Sequence, residues 1–247
     1  MTDRLGALEA SAARLSALVG RLSPQQLTMQ SYASKWSIAD VLSHIGSGAV
    51  IMRNGVETAV SGRPPDPGFN QSVWDEWNAK APAAQASEAL AADQALLGRL
   101  AGLTEDERDT LRYSMGPMQI DFETLVGLRL NEHVLHSWDI GVALNPDEKL
   151  PRDATALVID NLEMISRFAS RSDGVERTIS VHTTEPERRF EIVVGPERAP
   201  LTQVSDSADP ADVELPAEAF IRLVYGRLDA AEAGASLDQV RPLFPGV

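Results

Sequence analysis

From Asp3 to about Arg21 the apolar residues Leu5, Leu8, Ala12, Leu15, Leu18, Val19 and Leu22 recur at spacings of three and four. That is the period of an amphipathic helix, and the Ser23–Pro24 step should end it. Ser37 and Asp40 stand at capping-box spacing just before Val41, Leu42 and Ile45, so a second helix is expected from there to about Val60, ahead of Gly62, Pro64 and Pro65. The Gly- and Pro-rich run from Gly62 to Asn70 reads as an exposed connection, with a short helical piece around Trp74 and Trp77 behind it. Ala83 to Leu100, rich in Ala and Leu, reads as a third long helix. A polar stretch from Thr104 to Arg112 and a loop at Gly116–Pro117 follow. Phe122, Leu125, Leu128, Val134, Leu135 and Ile140 are then periodic along a fourth helix, Asp121 to about Leu144. Four such helices are expected to pack as an antiparallel bundle.

The rhythm changes after Asn145–Pro146, where a Pro- and charge-rich stretch to Arg152 reads as a linker. Ala154 to Ser170 looks helical, but Thr178 to Thr183 and Arg189 to Val194 are short β-branched segments between polar and Gly-Pro punctuation, and read as strands. Val204 and Asp212 to Leu215 offer further strand, and Pro216 opens a helix that should end near Gly226. The expected fold class is a two-domain α+β chain, with a helical bundle over residues 1–147 and a small α+β domain over 152–247.

At 247 residues and 43% apolar composition the chain can bury a sizeable core. It has no run of about 18 apolar residues and no basic-then-apolar start, so it is expected to be cytoplasmic. With no cysteine, disulfides, thiolate metal sites and cysteine nucleophiles are excluded, and any metal must take nitrogen and oxygen ligands. The 36 acidic against 22 basic residues give a formal charge of −14, a field that repels phosphate backbones and anionic membranes. Neither nucleic acid nor a membrane is an expected partner, and the expected state is a monomer or small homo-oligomer. No phosphate loop, dinucleotide fingerprint or Gly-x-Ser-x-Gly is present, which leaves nucleotide chemistry and serine hydrolysis without support.

Of the four histidines, three fall where a metal site could use them. Glu132 and His136 are four apart on one predicted helix, about 40° apart in projection and roughly 6 Å along the axis. His44 lies on a different helix, seven residues after its cap, where a bundle could bring it opposite the pair. Two imidazoles and one carboxylate with a fourth position open form the ligand set of a catalytic rather than a structural zinc. His133 competes with His136: it points about 100° from Glu132 but is one turn from His136. Asp139 could orient a ligand from behind, or be a surface carboxylate. On spacing alone, a Glu and a His four apart also describe a solvated ion pair, and a lone His44 a core histidine.

The segments WSIADVLSHIG, Trp36 to Gly46, and NEHVLHSWDIG, Asn131 to Gly141, resemble the DinB-like superfamily, and within it the mycothiol-dependent maleylpyruvate isomerase family. The resemblance implies a four-helix N-terminal domain that holds zinc, or another divalent metal, through His44, Glu132 and His136. It further implies a C-terminal domain of sterol-carrier shape. In the late element LVYGR, Leu223 to Arg227, Arg227 is the implied ligand for an anionic substrate or thiol cofactor; Asp139, by its spacing to His136 rather than by the resemblance, is the other cofactor-side candidate. Members use mycothiol, and metal-assisted deprotonation would make that thiol a nucleophile at neutral pH. The thiolate either adds to a conjugated double bond, permits rotation and leaves, or attacks an electrophile and stays attached. The expected partners are therefore a small-molecule thiol and an electrophilic substrate. Two other classes share the fold: a non-catalytic module holding a small ligand or regulating another protein, and a thiol-independent metal hydrolase.

Overall fold

Ser37 caps the second long helix as its spacing demands: its hydroxyl accepts from the Asp40 amide at 3.2 Å, and the Asp40 carboxylate accepts from the Ser37 amide at 2.9 Å. The computed structural model describes residues 3–33, 35–64, 66–205, 210–228 and 237–246. The chain divides into two compact units, Met1–Lys149 and Leu150–Val247.

The first unit contains α1 (Arg4–Val19), α2 (Pro24–Leu27), α3 (Ile38–Ser61), α4 (Phe69–Asn78), α5 (Pro82–Ala101) and α6 (Glu105–Thr110). A hairpin of β1 (Tyr113–Met115) and β2 (Met118–Ile120) then leads into α7 (Phe122–Leu144). The four long helices α1, α3, α5 and α7 form the bundle, with Leu15, Leu42, Ile45, Ala89 and Ile140 among the buried residues of its core.

Their senses differ from the expected antiparallel arrangement. Along α3 and α5, Gly46 lies beside Ala89 while Glu57 pairs with Arg99 at 2.6 Å, so these two run parallel. Along α1 and α7, Arg4 reaches the carbonyl of Glu123 and Ser11 reaches His133, so they too are parallel. Across α3 and α7 the pairs His44 with Glu132 and Gly48 with Arg129 make the sense antiparallel. The reason is α4: packed against α3, it carries the chain back to the level where α3 began, and α5 starts there as a crossover.

Two other local features escape the periodicity. Thr104 and Glu107 form a capping box that makes Glu105–Thr110 helical despite its lack of apolar residues. Gly116, at φ +58, turns the β1–β2 hairpin.

In the second unit the helix expected over 154–170 is broken into α8 (Arg152–Val158) and α9 (Leu162–Ala169) by a 3₁₀ turn at Ile159–Asn161. Four strands follow, β3 (Arg177–Thr184), β4 (Arg188–Val194), β5 (Leu201–Val204) and β6 (Val213–Pro216), in the order β5-β4-β3-β6. β3 is antiparallel to β4 and parallel to β6. Ile179, Val181 and Thr183 alternate inward on β3, as do Phe190, Ile192 and Val194 on β4, so one face of the sheet is buried. α10 (Ala217–Val224) packs there, with the Phe220 ring 5.3 Å from that of Phe190. No helix among the described residues is long and apolar enough to cross a membrane.

Candidate metal centre

α3 and α7 bring His44, Glu132 and His136 together. His44 Nε2 lies 3.2 Å and His136 Nε2 3.5 Å from the same Glu132 oxygen, Oε2. One ligand atom from each residue lies within 4.8 Å of the others. With metal–ligand bonds of about 2.0–2.1 Å, neighbouring ligands of a tetrahedral zinc are about 3.4 Å apart, so the two short separations already fit such an ion. The two imidazole rings meet edge to face with centroids 4.7 Å apart, leaving both Nε2 atoms aimed at the carboxylate.

The surroundings fix this geometry. Asp139, wholly buried one turn beyond His136, lies with Oδ2 2.9 Å from His136 Nδ1. A proton held there leaves Nε2 as the free ligand atom, the arrangement in which a buried carboxylate orients a metal-binding histidine. The surface alternative for Asp139 is thereby removed. Trp36 forms a wall, its ring 5.1 Å from His44 and 6.0 Å from His136. The loop that carries Trp36 is tied to α7 by the Tyr32 amide, which donates to the carbonyl of Asp139 at 3.1 Å. The side chains of His44 and Glu132 remain 39% and 49% exposed against 12% for His136, so the cluster opens to solvent on one side.

Burial pushes the Glu132 carboxyl up, but its hydrogen bonds to His136 and His44 outweigh that and hold it well below the ordinary carboxylate range. Burial likewise lowers His136, and its contacts with Asp139 and Glu132 overcome this to raise it.

His133 does not join the cluster. Its ring is fully buried, with Nε2 2.9 Å from Asp93 Oδ2 and Nδ1 3.0 Å from Ser11 Oγ. Asp93 also accepts from Arg129 Nη2 at 2.9 Å, and the same nitrogen donates to the Ile45 carbonyl at 2.9 Å. This buried network ties α1, α5 and α7 to α3 one turn beneath the candidate ligands. Its sequence signal is a single acid in an apolar row: Asp93 occupies the stripe of Ala86, Ala89, Leu96 and Leu100, where a charge persists only if paired.

Arg227 lies in the second unit, just past α10. Gly226, at φ +67, ends the helix with its amide bonded to Leu223 and the Arg227 amide bonded to Arg222, the double closure of a Schellman turn. The Arg227 guanidinium donates to the Tyr225 carbonyl at 3.1 Å and lies 5.9 Å from that residue's ring centre.

The family model of the mycothiol maleylpyruvate isomerase N-terminal domain matches residues 8–141. Among solved structures, the crystal structure of the mycothiol-dependent maleylpyruvate isomerase aligns over 91% of this chain and 88% of its own, at 15% identity and a TM-score of 0.66. A variant of that isomerase with one histidine changed to alanine aligns over the same shares at 14% identity and the same score. At such identities the likeness to both structures is one of fold. No curated protein gives a match. The family match spans α3 and all but the end of α7, the two helices that carry His44, Glu132 and His136, and by it the chain belongs to the mycothiol maleylpyruvate isomerase N-terminal domain family.

Proposed function

We propose that the protein is a zinc-dependent enzyme that uses mycothiol to isomerise a small electrophilic substrate, or that joins the intact thiol to such a substrate through its sulfur. The observation that carries this reading is the convergence of His44 Nε2, His136 Nε2 and Glu132 Oε2 on one point with an open side. A donor set of two nitrogens and one oxygen suits zinc, and the absence of cysteine leaves the thiol to come from outside the chain. When bound there, zinc supplies the Lewis acidity that brings a thiol to its thiolate near neutral pH.

The chain's own residues then have separable tasks. Asp139 holds the His136 ring and its Nδ1 proton, so that Nε2 keeps its lone pair. Glu132 contributes negative charge between the two rings. Trp36 closes one wall and limits water on that side. The first unit is, on this reading, the metal-binding domain. The second is a sterol-carrier-like domain whose Arg227, by resemblance alone, is the candidate ligand for an anionic substrate group.

The test is metal content by elemental mass spectrometry, for the wild type and for His136→Ala, purified without added metal. About one zinc per wild-type chain, greatly reduced in the variant, is expected, together with turnover of activated alkenes or alkyl halides only when mycothiol is present. No metal in the wild type even after zinc is offered at neutral pH would sink the proposal. Turnover without thiol would replace it with metal-assisted hydrolysis.

A further inference from the structure

α3 carries more than a metal ligand on its outer face. His44, Ser47, Ile51, Asn54 and Thr58 follow one another at spacings of three and four, so they share one face of the helix over about 21 Å. On α4, Asn70, Trp74 and Asn78 recur every fourth residue and likewise share a face. These two faces line two clefts in succession. The first, of about 390 Å³, lies between His44 and Ser47 on one side and Trp74 and Asn78 on the other. The second, of about 290 Å³, lies between Ile51, Asn54 and Thr58 on one side and Phe69 and Asn70 on the other. Each is of the size that holds a small molecule or part of one, and they occupy successive turns of the same two helices.

The lining has a distinct chemistry. Amide and hydroxyl side chains alternate with aromatic rings: Trp36 and Trp74 at the metal end, Tyr113 at the far end. Trp74 is 44% exposed, and no core requires it there. The Tyr113 ring lies against the α3 backbone at Gly55, where an added Cβ would come within 2.4 Å of it. The charges nearly balance, with Lys35 against Asp40 at one end and Arg63 and Arg112 against Asp66 at the other. Arg63 and Arg112 are each held locally, by Ser61 Oγ and by the carbonyls of Asp109 and Leu111. A phosphate or polyanionic ligand would call for a clear excess of cations, and a lipid tail for an apolar wall. Hydrogen-bonding groups of both kinds set beside flat aromatic faces fit an uncharged, polyhydroxylated ring system.

We infer that the α3–α4 groove seats the uncharged sugar body of the thiol cofactor, with the sulfur at His44 and the rings lying past Trp74 towards Asn54, Thr58 and Tyr113. This rests on the thiol reading above and adds the place and the residues that would distinguish mycothiol from a simple thiol. Discrimination comes from burying hydroxyl groups against donors and acceptors that a shorter thiol leaves unpaired.

The experiment is isothermal titration of the zinc-loaded full-length chain with two probes: mycothiol, and N-acetylcysteine, which carries a thiol without sugar. The proteins are wild type, Thr58→Trp, which fills the second cleft, and Asn54→Ala, which removes one polar partner without adding bulk. Thiol binding is read directly, with circular dichroism reporting the fold. The inference expects Thr58→Trp to weaken mycothiol about tenfold or more and Asn54→Ala several-fold, while N-acetylcysteine changes by less than about twofold. It is overturned if both variants bind mycothiol as the wild type does, or if the wild type prefers mycothiol no more than N-acetylcysteine. In either case the thiol reading survives. Failure of the wild type to bind either thiol overturns both.

Discussion

Two carboxylates in the bundle are buried for different ends, and both can be tested at the level of the single side chain. Asp139 touches His136 from behind, so Asp139→Asn should leave the fold intact and weaken zinc about 10- to 100-fold, as read by competition with a chromophoric chelator. Asp93 instead answers a buried cation. Burial raises its carboxyl, but the His133 hydrogen bond and the Arg129 charge outweigh this and hold it at about 2, below the ordinary 3.8. A carboxyl lowered on folding stabilises the folded state above its unfolded pKa. That contribution, about 2 kcal/mol, is therefore complete above about pH 5 and lost as pH falls from about 4 to about 2. Asp93→Asn should flatten this acid limb in urea unfolding curves. At pH 7 it should also cost about 3–5 kcal/mol, because Arg129 stays buried at 4% exposure without its counter-charge. The candidate ligands could be singled out from histidine scarcity and spacing. The Asp93 network was visible only as an oddity, since nothing in a linear stripe says which cation will meet a lone acid.

At the scale of elements, one glycine decides how closely α3 approaches α5. A Cβ on Gly46 would sit 2.3 Å from the Trp77 ring and 2.8 Å from the Ala89 backbone. Alanine favours a helix over glycine by about 1 kcal/mol, but forcing the helix pair apart costs about 1–3 kcal/mol, and the Ala89 backbone cannot move aside as a flexible side chain could. Gly46→Ala should therefore lower the midpoint of thermal unfolding; an unchanged or raised midpoint would show that the contact yields. The extents of the long helices were legible because caps and periodicity are local: α3 and α7 begin and end within a residue or two of expectation. The hairpin at Gly116, the short helix α6 and the break at Ile159–Asn161 were not, since none carries enough apolar period to announce itself.

For the whole molecule, all three candidate ligands lie in the first unit, Met1–Lys149. Residues 1–149 expressed alone should fold and take up about one zinc, and added zinc should raise their unfolding midpoint in proportion to the logarithm of its free concentration. A fragment that folds yet fails to take up zinc would mean that the metal needs the second unit. Topology at this scale departs from the sequence expectation. Four long helices suggested alternation, whereas α4 returns the chain along α3 and makes α5 parallel to it.

What the sequence determined alone is whatever depends on neighbours within about a turn: helix caps, apolar stripes, strand alternation, the i,i+4 spacing of Glu132 and His136, and, from composition, the exclusion of thiolate ligands from the chain. Tertiary structure decided which histidine joins that pair. His44 and Glu132 are 88 residues apart, and only the antiparallel packing of α3 on α7 sets them at 3.2 Å. The same packing turns His133, one residue from Glu132, inward to Asp93. A rotation of about 100° per residue separates a candidate ligand from a core side chain on one helix, and only the neighbouring helices determine which direction is inside.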